Sequence, residues 1–360
     1  MKKLTLSLIS LIVCLCFMLS GCSKPAILSF SQAYLGDNTN TIKEQLTYQV
    51  KYQQNFGTEF TKDTSITSDI IDFDYQGTYT LSWEATSSLP EKSSLFEKTI
   101  SGNVASLEKN TFYLLKSNLQ ITATYNKINN QVPEVTTYED YILTETYFVS
   151  RNNSFAPIHS ETDAKYSFIA TSGSVATIGQ TNYSFYVTYN KDFYTTYTKL
   201  KDDQDFTKQT HKYNYRTIID NNQLIFLLRN LTIETDDTAE LLAVSMQYGQ
   251  PTELTIKNRG GSQIRYAQGE TLTINGTAFD SQDQNTTEER VPVNQLGFLV
   301  NSIQGAGKEQ IVFIQSGKAG NLPNTALPIQ YIQPLVAQTS YKSLGVMSYK
   351  LVDIVTITQN

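Results

Sequence analysis

After Met1-Lys2-Lys3 the chain is apolar from Leu4 to Leu19, broken only by single Thr and Ser residues, and the pattern then changes character. From Leu46 onward, Leu46, Tyr48, Val50 and Tyr52 alternate with polar residues, the period of two that marks a strand with one buried face. The same alternation returns in Tyr79 to Trp83, Phe112 to Tyr125, Tyr141 to Val149 and Tyr183 to Tyr189. Turn-forming clusters separate these runs: Asn129-Asn130, Arg151-Asn152-Asn153-Ser154 and Asn190-Lys191-Asp192. Several runs exceed the usual strand of about 5–6 residues, and the pattern reads as an antiparallel meander.

The middle of the chain departs from this rhythm. After Ile218-Ile219 and a turn at Asp220-Asn221-Asn222, Leu224-Ile225-Phe226-Leu227-Leu228 is apolar on both phases. Periodicity cannot separate a covered strand from a short buried helix there; the lack of β-branching in Leu227-Leu228-Arg229-Asn230-Leu231 favours a short helix or turn. Past a polar break at 234–238, strands resume at 241–248, 252–256, 270–279, 297–300, 310–314 and 329–336. A terminal strand runs from Gly345 to Val355. Lys257-Asn258-Arg259-Gly260-Gly261, 280–289 and 317–324 read as polar loops, the first and last containing Gly, with local disorder expected in 280–289. No fixed-period repeat is present, which argues against a solenoid or propeller.

Two lysines followed by an apolar run and a small-residue pair form a secretory signal. The run is shorter than the ~20 apolar residues of a membrane span. Its ending, Leu19-Ser20-Gly21-Cys22, resembles the lipobox of bacterial lipoproteins. That resemblance implies cleavage after Gly21 and a diacylglycerol thioether on Cys22. With further acylation by a chain such as palmitate, at ~0.8 kcal/mol per buried CH₂, the protein would be held firmly on the outer face of the cell membrane. The organisation expected is a signal peptide at 1–21, a tether at 22–45 and a β domain at 46–360, with two sub-parts meeting near 205–240.

Asp220-Asn221-Asn222-Gln223-Leu224, Leu228-Arg229-Asn230-Leu231 and the closing Gly345-Val346-Met347-Ser348-Tyr349-Lys350-Leu351 resemble a family of uncharacterised exported β-proteins. Their fold is similar to the open, unclosed barrel of the lipoprotein carriers LolA and LolB. The resemblance spans about 70–355 and implies a strongly curved antiparallel sheet whose apolar concave side is partly plugged by short helices. It carries no catalytic residue. The polar insertions at 257–290 and 317–324 depart from that pattern.

Of three cysteines, Cys14 and Cys16 leave with the signal and Cys22 would be alkylated, so thiol and disulfide chemistry is excluded from the mature chain. The net charge of −6 and the lack of a basic patch argue against nucleic acid. With 23 Tyr, 17 Phe and a single Trp, the aromatic weight suits sheet faces that are apolar in body and wet at the tip, and would equally serve a sugar-stacking or apolar-ligand surface.

Searching for chemistry finds little. His159 and His211 stand far apart and read as surface or turn residues, so no metal is expected. No Gly-x-Ser-x-Gly elbow or Ser-x-x-Lys helix stands in a credible setting, and Thr171-Ser172-Gly173-Ser174 reads as a turn. Acidic pairs at Asp72/Asp74, Glu139-Asp140, Asp202-Asp203/Asp205 and Asp236-Asp237 read as solvated loop acids; the 202–205 group lacks the Gly and distal Glu of a calcium loop. Gly305-Ala306-Gly307-Lys308 reads as a hairpin turn rather than a phosphate loop. Arg229, a cation in an apolar run, should have a structural partner, with Asp220 the candidate.

The expectation is an all-β, mainly antiparallel fold: one long curved meander sheet or open half-barrel with a short helix or two. The function expected is non-enzymatic, without cofactor: a lipid-anchored extracytoplasmic protein binding an apolar or amphiphilic ligand or an envelope component. The alternatives are an envelope scaffold engaging another protein and, third, a polysaccharide-active enzyme, which requires two carboxylates facing across a cleft.

Overall fold

The computed structural model describes residues 41–57, 60–61, 63, 72–86, 112–129, 132–151, 154–172, 175–190, 193–200, 203–212, 218–229, 231, 233–244, 251–281, 288–300, 309–323, 326–336 and 343–358. The signal, Cys22 and most of the tether lie outside these residues. The first strand begins earlier than the alternation at Leu46: β1 is Thr41–Gln53, so residues 41–45, read as tether, are strand.

A small hairpin, β2 (Asn55–Phe56) with β3 (Phe60–Thr61), stands apart. Next come β4 (Asp72–Thr86), β5 (Phe112–Asn129), β6 (Val132–Arg151), β7 (Ser154–Ser172), β8 (Val175–Tyr189), β9 (Phe193–Leu200) and β10 (Thr207–Lys212). Each pairs antiparallel with the next, the meander that the Tyr-, Thr- and Asn-punctuated alternation predicts. At ~3.3 Å per residue, the 20-residue β6 is about 65 Å long.

β11 (Ile218–Asp220) leads through a 3₁₀ turn, Asn221–Gln223, into α1 (Leu224–Leu228), where the sequence placed a short helix or turn. There follow β12 (Thr238–Val244), β13 (Pro251–Tyr266), β14 (Thr273–Ile274), β15 (Thr277–Ala278), β16 (Glu289–Val300), β17 (Gln310–Gln315), β18 (Pro328–Val336) and β19 (Ser343–Thr358). The predicted loop at 257–261 is instead inside β13. A register shift between Asn258 and Gly261, with Gly260 at φ +95, absorbs the polar residues as a bulge without ending the strand. Conversely, the single strand predicted over 270–279 is two short strands around a turn at Asn275-Gly276.

β1 sits between β4 and β19, and β19 between β1 and β18, so the first and last strands join the two runs into one 17-stranded sheet. Among the described residues only β11–β12 and β14–β19 pair parallel. The sheet is all-β, curved and unclosed. Its curvature shows where the turn after β11 reaches the inner side of β7: Asn222 Nδ2 donates to Ser160 Oγ (3.1 Å) and Thr162 Oγ1 (3.3 Å). One apolar cluster, from Leu46 to Ile354, fills the concave side of both runs. A smaller one, including Val187, Tyr194, Ile218 and Val244, lies under the curled edge. Among the described residues no helix is long and apolar enough to cross a membrane.

Candidate functional site

Inside the curve, α1 acts as a plug. Phe226, fully buried, meets Trp83, Phe148 and Phe155 with ring centroids 6.4, 5.7 and 6.0 Å away. Arg229 just beyond α1 is buried too, and its Nη1 lies 2.5 Å from Glu44 Oε1, with Nη2 3.3 Å from Oε2. Trp83 Nε1 also donates to Glu44 Oε1, at 3.3 Å. The partner of Arg229 is therefore Glu44, 185 positions away in sequence, rather than Asp220. Asp220 instead caps the 3₁₀ turn: Asn222 N–H donates to its Oδ1 (2.9 Å) and the Tyr189 hydroxyl to its Oδ2 (2.6 Å). Burial pushes its carboxyl above the usual range against the pull of these donors.

The histidines depart from the surface reading. His159 is fully buried in β7, its Nε2 2.9 Å from Glu161 Oε1. A period-two residue on a sheet face that is itself covered looks, in sequence, the same as one on an open face. His211 stacks on Tyr194, with centroids 4.8 Å apart. Glu145 and Glu161 are register partners on β6 and β7, so these two carboxylates are neighbours on one face rather than on opposite walls of a cleft. Lys116 Nζ, 3.1 Å from Glu145, offsets part of their repulsion.

Of the acidic pairs, Asp72 and Asp74 are exposed on β4, Asp236 and Asp237 lie in an exposed turn, and Asp203 and Asp205 are exposed, with Asp202 outside the described residues. Gly305 to Lys308 also falls outside, in the connection between the antiparallel β16 and β17. Among the described residues no group of three or more His, Cys, Asp or Glu could hold a metal ion.

Glu139-Asp140 is the pair that matters. Glu139 is exposed, accepting from Thr122 Oγ1 at 3.1 and 3.2 Å, whereas Asp140 is buried. The β6–β7 ladder stops at Tyr141↔Lys165, although both strands continue. There Asp140 Oδ2 accepts from both Ser167 N–H (2.8 Å) and Ser167 Oγ (2.5 Å), taking the place of a main-chain partner. Ser167 Oγ also meets the Tyr125 hydroxyl (2.7 Å), which meets that of Tyr75 (2.8 Å), tying four strands together. Burial pushes both phenols up.

From Ile158 to Thr162 both phases of β7 are buried; beyond the clasp Ser167 and Ile169 stay buried while Tyr166, Phe168 and Ala170 are half-buried. β7 continues beside β8, and among the described residues β6 from Val132 to Asp140 has β5 alone as a ladder neighbour. At the parting point, Gln120, Glu139, Asp140, Tyr141 and Leu143 line a shallow depression of about 290 Å³. Tyr141 is 38% exposed and Leu143 42%, with Val135 at 62% further along the same phase of β6. Sequence reasoning passed over this place. The signal it missed is Asp140 in the inward phase of Tyr138, Ile142 and Thr144, where a strand does not leave a carboxylate without a task.

No family model matches this chain, and no curated protein matches it in sequence.

Proposed function

We propose that this chain is a lipid-anchored extracytoplasmic lipoprotein, held to the cell membrane through Cys22, that binds an apolar or amphiphilic envelope component without catalysing a reaction. The observation that carries the binding reading is the outer face of β6, where Tyr141 and Leu143 are exposed around a depression with amide and carboxylate neighbours. The concave side offers less, since Phe226, Phe148 and Tyr125 already occupy it.

A photo-crosslinking residue at Leu143, with Gln263 on exposed β13 as control, tests the reading in cells. Adducts at 143 and none at 263 are expected; equal or absent labelling at 143 sinks it. Intact mass of the exported protein tests the anchor, because an unmodified N-terminus contradicts it.

A second reading, an envelope scaffold engaging another protein, draws on the sheet margins, where unpaired main-chain groups are templates for a partner strand.

A further inference from the structure

The margin of β6 and the margin of β10 are not alike. β10, paired with β9, carries Lys208 and Lys212, with Lys208 Nζ 5.6 Å above the Tyr197 ring. Lysines along an edge discourage added strands. Nine residues of β6, Val132 to Asp140, have lost β7 as a neighbour and carry no lysine. Their side chains include exposed Val135 and Thr137 and half-buried Tyr138, with two exposed carboxylates, Glu134 and Glu139.

We propose that this margin of β6 receives an extended peptide segment by strand addition. The claim deepens the binding reading above and rests on the same face. Three features define the occupant. The N–H and C=O groups along this edge, without a ladder partner among the described residues and lacking an N–H at Pro133, recognise a backbone in β conformation, since successive main-chain bonds supply affinity whatever the sequence. The depression at Gln120, Tyr141 and Leu143 takes one apolar side chain where the added strand reaches the parting point. Glu139, on the outward phase with Val135 and Tyr141, favours Lys or Arg on the segment's outward phase. Asp140 sets the length of the site: by holding Ser167 N–H it stops β7 from zipping back onto β6.

The test uses the full chain in detergent and two acetylated, amidated heptapeptides: Lys-Val-Thr-Val-Thr-Val-Lys, and the same sequence with alternate amides N-methylated. The side chains are identical, and only the plain peptide can pair along an edge. Expected is at least tenfold weaker binding of the methylated peptide, and slowed hydrogen exchange in 132–140 with the plain one. Equal binding of both peptides, no binding of either, or protection at β10 in place of β6 overturns the inference. The Leu143 crosslink separates this failure from that of the parent reading: adducts there without strand pairing leave a side-chain site and remove only the added strand.

Discussion

The two faces of β6 are built from one stretch of alternating residues and do opposite things. Inward, Tyr138, Asp140, Thr144, Thr146 and Phe148 run into a core sealed by α1, where Ser167 donates to Asp140 and Glu44 pairs with Arg229. Outward, Val135, Tyr141 and Leu143 stay exposed beside Glu139. The inner face spends its polar groups on fixing strands and plug in register; the outer face leaves apolar surface unmatched. Stability should reside on one side and recognition on the other.

The sharpest way to break this contrast is Arg229→Ala. It strands the buried Glu44 carboxylate, and chemical denaturation should show a loss of about 3–5 kcal/mol. Replacing both partners by apolar residues, Arg229→Met with Glu44→Leu, should recover most of it. A single variant as stable as the parent would show that the plug is not held by this pair.

Gly77→Ala comes next. A Cβ there would lie 2.0 Å from the Gln120 carbonyl oxygen across the β4–β5 ladder, so strand backbone must shift. A cost of about 1–3 kcal/mol is expected, read from the denaturation midpoint.

Asp220→Asn sharpens the picture through pH. Because burial raises the folded carboxyl's pKa, the folded state holds its proton more tightly than the unfolded chain. That contribution is complete below the unfolded value and is lost as pH rises through the raised one. The non-titrating variant escapes this loss. Its melting temperature should therefore gain on the parent's between pH 4 and pH 7; a constant difference would refute the assignment.

The smallest effect belongs outside: Tyr141→Ala should change stability by no more than about 0.5 kcal/mol while weakening capture at the β6 face. A large stability loss would place Tyr141 in the core's service.

Legibility follows the same division. Local alternation was sufficient for β4, β5, β6 and β8, with Asn-containing turns at 129–130, 152–153 and 190 marking hairpins, while β7 and β9 carried no alternation clear enough to read. β13 was misread because Asn258-Arg259-Gly260-Gly261 has loop chemistry, and only a partner strand, β16, shows that the polar residues form a bulge. Arg229 was rightly given a partner, yet no local pattern points to Glu44, which β1 brings in from the far end of the chain. The parting of β6 from β7 was invisible because no local pattern reports where cross-strand hydrogen bonding stops while both strands continue.

The placement of β19 between β1 and β18 sets an order on assembly. The meander from β1 to β10 can zip as it emerges, each strand finding a neighbour already made. β18 has no second side until the last sixteen-odd residues arrive, because β19 is the final described element to leave the ribosome. The other side of β19 pairs with β1, from Thr41↔Thr358 to Gln53↔Val346, and pairings this distant in sequence close slowly. Pulse-labelled refolding should accordingly protect β5–β6 amides before those of the β1–β19 ladder.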